Sequence, residues 1–139
     1  MSGLVKEYKK ALPIRTLALQ LVKRNGQKDW LGEVRKIQEF VRDRIRYVKD
    51  IRGVETLQTP VKTLEFGQGD CDDKSTLVAA LLESIGHPTR FVAVGFSGQF
   101  AHVLVETKIG NKWIAVETTE PVGLGWFPPG VTMRMRWHN

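Results

Sequence analysis

The sequence predicts an α+β fold, with N-terminal helices packed on an antiparallel β-sheet. Three observations predict it. Apolar residues in the first half recur at the three- and four-residue spacing of helices. A capped apolar helix follows the break at Gly69-Asp70. Beyond residue 89 the chain turns to apolar and β-branched runs, two of them joined by the turn-forming pair Gly110-Asn111. The 139 residues suit a single domain, helical and basic over residues 1–50, with the remaining helix, the strands and the chemistry-bearing motifs over residues 51–139.

Each element has its own signal. Pro13 suits the first turn of a helix over residues 13–24, because its φ is already helical and its missing N–H has no partner there anyway. Leu17 and Leu21 face inward, and Asn25-Gly26 ends this helix, since both residues tolerate the left-handed conformation. Asp29 is placed to cap a second helix whose stripe is Leu31, Val34, Ile37, Phe40, Val41 and Ile45, running through Tyr47. Residues 48–69, with Gly53, Pro60, Gly67 and Gly69, show no strong period and read as a long irregular connection of a kind that is often functional. Asp70 caps the next helix, Leu77, Leu81, Leu82 and Ile85 form its buried stripe, and Gly86-His87-Pro88 ends it. Strands over residues 90–96, 101–109, 112–118 and 131–137 follow, the second and third as a hairpin. The Gly/Pro-rich, aromatic segment 121–130 reads as an ordered loop.

Composition narrows the function classes. With 42% hydrophobic and 26% charged residues, the chain is neither disordered nor fibrous. Its apolar runs are too short to cross a bilayer, and residues 1–24 lack the apolar core of a signal peptide, so a cytoplasmic protein without a membrane partner is expected. The lone cysteine, Cys71, excludes an intrachain disulfide and a multi-thiolate zinc site. The histidines are scattered and no His-Glu-x-x-His occurs, so no metal or cofactor is expected. Residues 1–52 hold 14 Lys+Arg against 6 Asp+Glu, a balance of +8, while the remainder holds 7 against 9, a balance of −2. No nucleic-acid motif accompanies the basic half. Its charges alternate with Glu33, Glu39 and Asp43, so they are read as solvated helix faces and not as a nucleic-acid surface.

The chemistry centres on Cys71, in the first turn of the helix that Asp70 caps. A helix N-terminus carries about half a positive charge and unpaired N–H groups, which favour a thiolate and can receive an oxyanion. Three neighbouring carboxylates oppose this unless they cap the helix, as Asp73 can by a capping box that points its charge away from the sulfur. A thiol nucleophile needs a base. His102, at the start of a strand beside a flexible stretch, is better placed than His87, read as a surface turn residue, or the penultimate His138, read as mobile. Counting outward from Gly110-Asn111 puts Leu104 opposite Glu117, which leaves His102 within diagonal reach of that carboxylate. Lys74 and Ser75 read as exposed first-turn residues. Trp126, Phe127, Pro128 and Pro129 fit either a substrate groove or an apolar latch over the sheet.

These residues carry a resemblance. Gly-Asp-Cys71-Asp-Asp-Lys-Ser with its apolar helix resembles the cysteine motif of the transglutaminase-like superfamily, whose core is papain-like. Ala-His102-Val-Leu-Val-Glu and Lys-Trp113-Ile-Ala-Val-Glu117-Thr-Thr are similar to that family's second and third motifs, in the same order. Ile45-Arg-Tyr47-Val and Gln58-Thr-Pro60 resemble its small bacterial and phage members, and the likeness spans residues 37–129. The resemblance implies Cys71 as nucleophile, His102 as base and acid, and position 117 as the orienting carboxylate. It also implies an oxyanion donor beside the Cys71 N–H, for which Gln58 is the candidate. The family usually has aspartate where this chain has Glu117. The implied function is a cysteine peptidase or amidase acting on a protein or peptide amide through a thioester, with transfer to an amine as a variant. The alternative is a noncatalytic structural or assembly protein of a phage or prophage that retains the fold, which the Glu117 departure supports.

Overall fold

The computed structural model describes residues 1–49 and 57–139. Its organising element is α5 (Cys71–Ser84), in which every residue from Asp73 to Leu82 is buried. The capping box forms as the sequence predicts: Asp73 N donates to Asp70 Oδ1 at 2.9 Å, and Asp70 N donates to Asp73 Oδ2 at 3.1 Å. Burial on all sides follows from what surrounds the helix. Helices α1 (Ser2–Tyr8), α2 (Leu12–Val22), α3 (Trp30–Arg44) and α4 (Pro60–Phe66) pack on it, and so do strands β3 (Thr89–Phe96) and β4 (Gln99–Ile109). The small pair Ala79-Ala80 lets these neighbours approach closely, while Leu77, Leu81 and Leu82 fill the space between them.

The main sheet has the order β5-β4-β3-β6, with β5 (Lys112–Val116) and β6 (Met133–His138) at its edges, and every pairing is antiparallel. Phe91, Val103, Val105 and Val116 join the core around α5. Val92, Val94, Leu104 and Ala115 form a second cluster, covered by Phe127 and Val131. Both faces of the central strands are therefore buried, which accounts for their near-continuous apolar runs.

Several local expectations change. The predicted second helix ends at Arg44, and Arg46–Tyr47 instead forms β1, paired in parallel with β2 (Gln68–Gly69). Isoleucine 45, in an extended conformation, is where the helix breaks. The connection over residues 48–69 contains α4, which the sequence signals in Thr59, Pro60 and Gly67: Thr59 caps it, Pro60 opens it, and Gly67 closes it at a left-handed φ of 65°. Gly53 lies outside the described residues. Helix α1, with the single buried residue Val5, is an addition that no strong sequence period announced. His138 is held in β6, with its ring 5.4 Å from that of Trp113, and is not a loose terminus.

Candidate functional site

Four chain segments converge at the start of α5. The β1–β2 bridge places Tyr47 against Gly69, with Val48 N donating to Gly69 O at 2.9 Å. Gly69 is required sterically, because a Cβ there would lie 2.7 Å from Asp73 Cβ and 3.1 Å from Gln58 Nε2. The Gly-Asp-Cys-Asp-Asp run is thus a packing solution as well as a chemical one. Glycine admits the Asp73 carboxylate that closes the cap, and the closed cap fixes Cys71 at the first helical position.

His102 enters from β4, opposite Val94, next to a register shift between Val94 and Gly95. Such a bulge re-aims the side chains beside it. Glu117 follows β5 directly. Its Oε2 lies 2.7 Å from His102 Nε2, and its Oε1 accepts from the N–H of Thr118 at 3.1 Å and of Thr119 at 3.0 Å. The Glu117 side chain is 1% exposed. With Nε2 engaged by Glu117, Nδ1 is the ring nitrogen left free, while the Cys71 thiol lies 3.9 Å from Asp72 Oδ1. Burial pulls the His102 pKa down, but the hydrogen bonds to Cys71 and Glu117 outweigh it and raise the pKa to about 10. Both neighbours thus favour the imidazolium over the neutral ring. Asp70 is pushed up to about 6, first by burial and then by its carboxylate neighbours, against the lowering effect of its backbone hydrogen bond to Asp73.

A cleft of about 460 Å³ opens on this arrangement, lined by His102 and Glu117 together with Tyr47, Phe96, Glu120 and Trp126. Pro128 also lines it, while Phe127 packs against the second core cluster. The loop thus divides between the two roles its sequence fits.

Other site expectations need correction. Gln58 uses both hydrogens of its amide, donating to Asp73 Oδ2 at 2.9 Å and to Gln68 O at 3.2 Å, so it supports the capping box and offers no hydrogen to an oxyanion. Lys74 and Ser75 are buried, not exposed. Lys74 Nζ donates to Ile45 O at 2.6 Å and to Arg42 O at 3.3 Å, at the end of α3. Burial lowers the Lys74 pKa to about 8, against the opposing pull of Glu117 and Asp43. Ser75 Oγ donates to Val103 O at 3.2 Å, which ties the helix to the strand beside His102. His87 is only 6% exposed and pairs with Glu33 at 2.8 Å, because the turn after α5 folds back onto α3.

Two contributors escaped the sequence reading. Gln38, fully buried on α3, donates to Glu117 O at 3.0 Å and to Val122 O at 3.2 Å, and so anchors the segment that carries Glu117. Its signal was a glutamine beside the apolar stripe position Ile37. Tyr47, paired with Gly69 in the β1–β2 bridge, lines the cleft with His102 and Glu117. Its pKa is raised first by burial and then by the negative character of Cys71, Asp70 and Glu120. Its signal was an aromatic hydroxyl just beyond the stripe of the second helix.

A cysteine opening a buried helix, faced by a histidine and a carboxylate from an antiparallel sheet, defines the papain-like class of fold. The chain belongs to the transglutaminase-like superfamily, whose sequence profile matches residues 15–118. No curated protein matches it in sequence. Among solved structures, a candidate protease from Parabacteroides distasonis superposes with a TM-score of 0.69 at 15% identity, covering 84% of this chain and 25% of that one. A candidate cysteine protease from Cytophaga hutchinsonii gives 0.67 at 17% identity, covering 95% and 48%. LapG from Legionella pneumophila gives 0.65 at 17% identity, covering 94% and 77%. The chain spans a quarter to a half of the length of the first two. At these identities the likeness is one of fold. None of the described helices is long and apolar enough to cross a membrane.

Proposed function

We propose that this chain is a cysteine peptidase or amidase that works through a thioester, with Cys71 as nucleophile, His102 as base and acid, and Glu117 as the group that orients His102. The observation that carries this reading is the His102 ring, whose Nε2 lies 2.7 Å from the buried Glu117 carboxylate and whose pKa is raised, against the effect of burial, by Cys71 and Glu117. An imidazolium beside sulfur stabilises negative charge there, and the helix N-terminus adds to it. The thiolate attacks the amide carbonyl, forming a C–S bond and placing charge on the oxygen. The Cys71 N–H, at the first helical position where the helix supplies no acceptor, receives that charge, with the Tyr47 hydroxyl as second donor. His102 then gives its proton to the leaving nitrogen as the C–N bond breaks. Water opens the thioester, with His102 as base, and restores the thiol. An amine entering at this last step would give transfer in place of hydrolysis.

The extra methylene of Glu117 does not prevent its contact with His102, which supports the catalytic reading over a noncatalytic component that merely keeps the fold. The test has two arms on separate samples: the rate of Cys71 alkylation by iodoacetamide at pH 7, and incubation of unalkylated protein with peptide amides, with mass spectrometry for an acyl adduct on Cys71. The expected result is labelling faster than that of N-acetylcysteine, slowed in His102→Ala, and an adduct that water discharges. A Cys71 no more reactive than a free thiol, with no adduct, refutes the proposal.

A further inference from the structure

We propose that the cleft beside His102 selects substrates carrying a cationic side chain, Arg or Lys, next to the reacting amide, with Glu120 as the counter-charge and the rings of Tyr47 and Trp126 as its walls. This rests on the reading of Cys71, His102 and Glu117 as the reacting group. Two observations carry it. The first is charge balance. The chain holds 21 Lys+Arg and a net charge of +6, yet among the described residues no lysine or arginine lines the cleft. Of the described charged groups that do, His102 and Glu117 offset each other at 2.7 Å, which leaves the exposed carboxylate of Glu120 uncompensated among them. The second is the wall chemistry. Tyr47, Phe96 and Trp126 present aromatic surface around that carboxylate. Aromatic faces with one carboxylate fit a long apolar stem ending in a cation, through stem contact, cation–π attraction and ion pairing. They offer nothing to an acidic side chain. The Tyr47 pKa is raised first by burial and then by Cys71, Asp70 and Glu120, which accords with negative charge in the cleft.

Selection by charge is measurable without knowing the substrate. Cys71 in the full chain is alkylated with 2-bromoethylammonium and with iodoacetate, each rate being normalised to that of N-acetylcysteine under the same conditions. The His102 imidazolium favours the anionic reagent in every variant, so the readout is the shift in the cation-to-anion ratio when Glu120 is replaced. Glu120→Gln is expected to lower the ratio by about three- to tenfold, Glu120→Lys to lower it further, and added salt to shrink the difference. In a paired assay, the preference for peptides with Arg over Glu beside the cleaved bond falls in Glu120→Gln. A ratio that neither variant moves, in proteins whose circular dichroism is unchanged, overturns the proposal. If Cys71 reacts no faster than the free thiol while the ratio still shifts with Glu120, the catalytic reading falls and the cation site stands.

Discussion

The molecule contains two histidine–carboxylate pairs of almost the same length, His102–Glu117 at 2.7 Å and His87–Glu33 at 2.8 Å. Each borders a cleft, of about 460 Å³ in the first case and about 420 Å³ in the second. The pairs differ in what holds the carboxylate and in what meets the far side of the ring. Glu117 is 1% exposed and accepts two backbone N–H bonds, whereas the Glu33 side chain is 23% exposed. The His102 pKa is raised, against burial, by Cys71 at a helix N-terminus as well as by Glu117; His87 lies in the turn after the same helix, beside Gly86 and Pro88. A histidine paired with a carboxylate is thus not enough to mark a reactive site. The carboxylate has to be immobilised and the ring has to face a nucleophile.

That contrast can be broken by mutation, most strongly at the rings. His102→Ala should slow alkylation of Cys71 at pH 7 by about thirtyfold, the fall in thiolate fraction when the imidazolium is lost and the thiol returns to its ordinary pKa of about 8.5. His87→Ala should leave the rate within about twofold and lower unfolding stability by about 1–3 kcal/mol, since Glu33 loses its partner. Equal rate losses in the two variants would erase the distinction. The carboxylates come next. Glu117→Gln or Glu117→Ala should cost at least about tenfold in the same rate without unfolding the protein, and Glu33→Gln nothing measurable. A folded Glu117 variant with an undiminished rate would move the orienting role elsewhere, with Glu120 the neighbouring candidate.

Gly69→Ala sharpens the comparison by disturbing only the support of the first pair. The new methyl collides with Asp73, so the capping box opens, at a cost of about 1–3 kcal/mol seen as a lower denaturation midpoint. A midpoint equal to that of the wild type would show that the cap tolerates the methyl.

The comparison extends to pH dependence. His102 has a folded pKa of about 10, above its ordinary 6.5, so its contribution to stability is fully present below 6.5 and is lost as pH rises through 10. Lys74 has a folded pKa of about 8, below its ordinary 10.5, so its contribution is greatest above 10.5 and is lost as pH falls through 8. The stability difference between wild type and His102→Ala should therefore shrink from pH 6.5 to 10. The difference between wild type and Lys74→Met should move in the wild type's favour from pH 8 to 10.5. Urea unfolding across this range measures both, and slopes of the same sign would contradict the assignments.

What the sequence made legible was local. Asp29 and Asp70 announce their helices because a cap is a short-range device, and Gly110-Asn111 sets the register that brings Glu117 near His102. The burial of Lys74 and His87 was not legible. Both look polar and terminal in sequence, and both are covered by α3, which meets them only in three dimensions. The same holds for Gln38, whose partner Glu117 lies 79 positions away. Gln58 shows the same dependence: its amide hydrogen-bonds to Asp73, and only the folded cap reveals that contact.

The register shift between Val94 and Gly95 divides the β3–β4 hairpin into two parts. On one side, the pairs from Thr89↔Thr107 to Val94↔His102 keep the histidine fixed. On the other lies the tip, whose residue Phe96 lines the cleft. The shift works as an insulator between them. Insertions, deletions or replacements around Ser97-Gly98 can reshape one wall of the cleft while the register of His102 stays as it is. In evolutionary terms, the shape of the cleft can drift at the hairpin tip under little constraint from the position of His102.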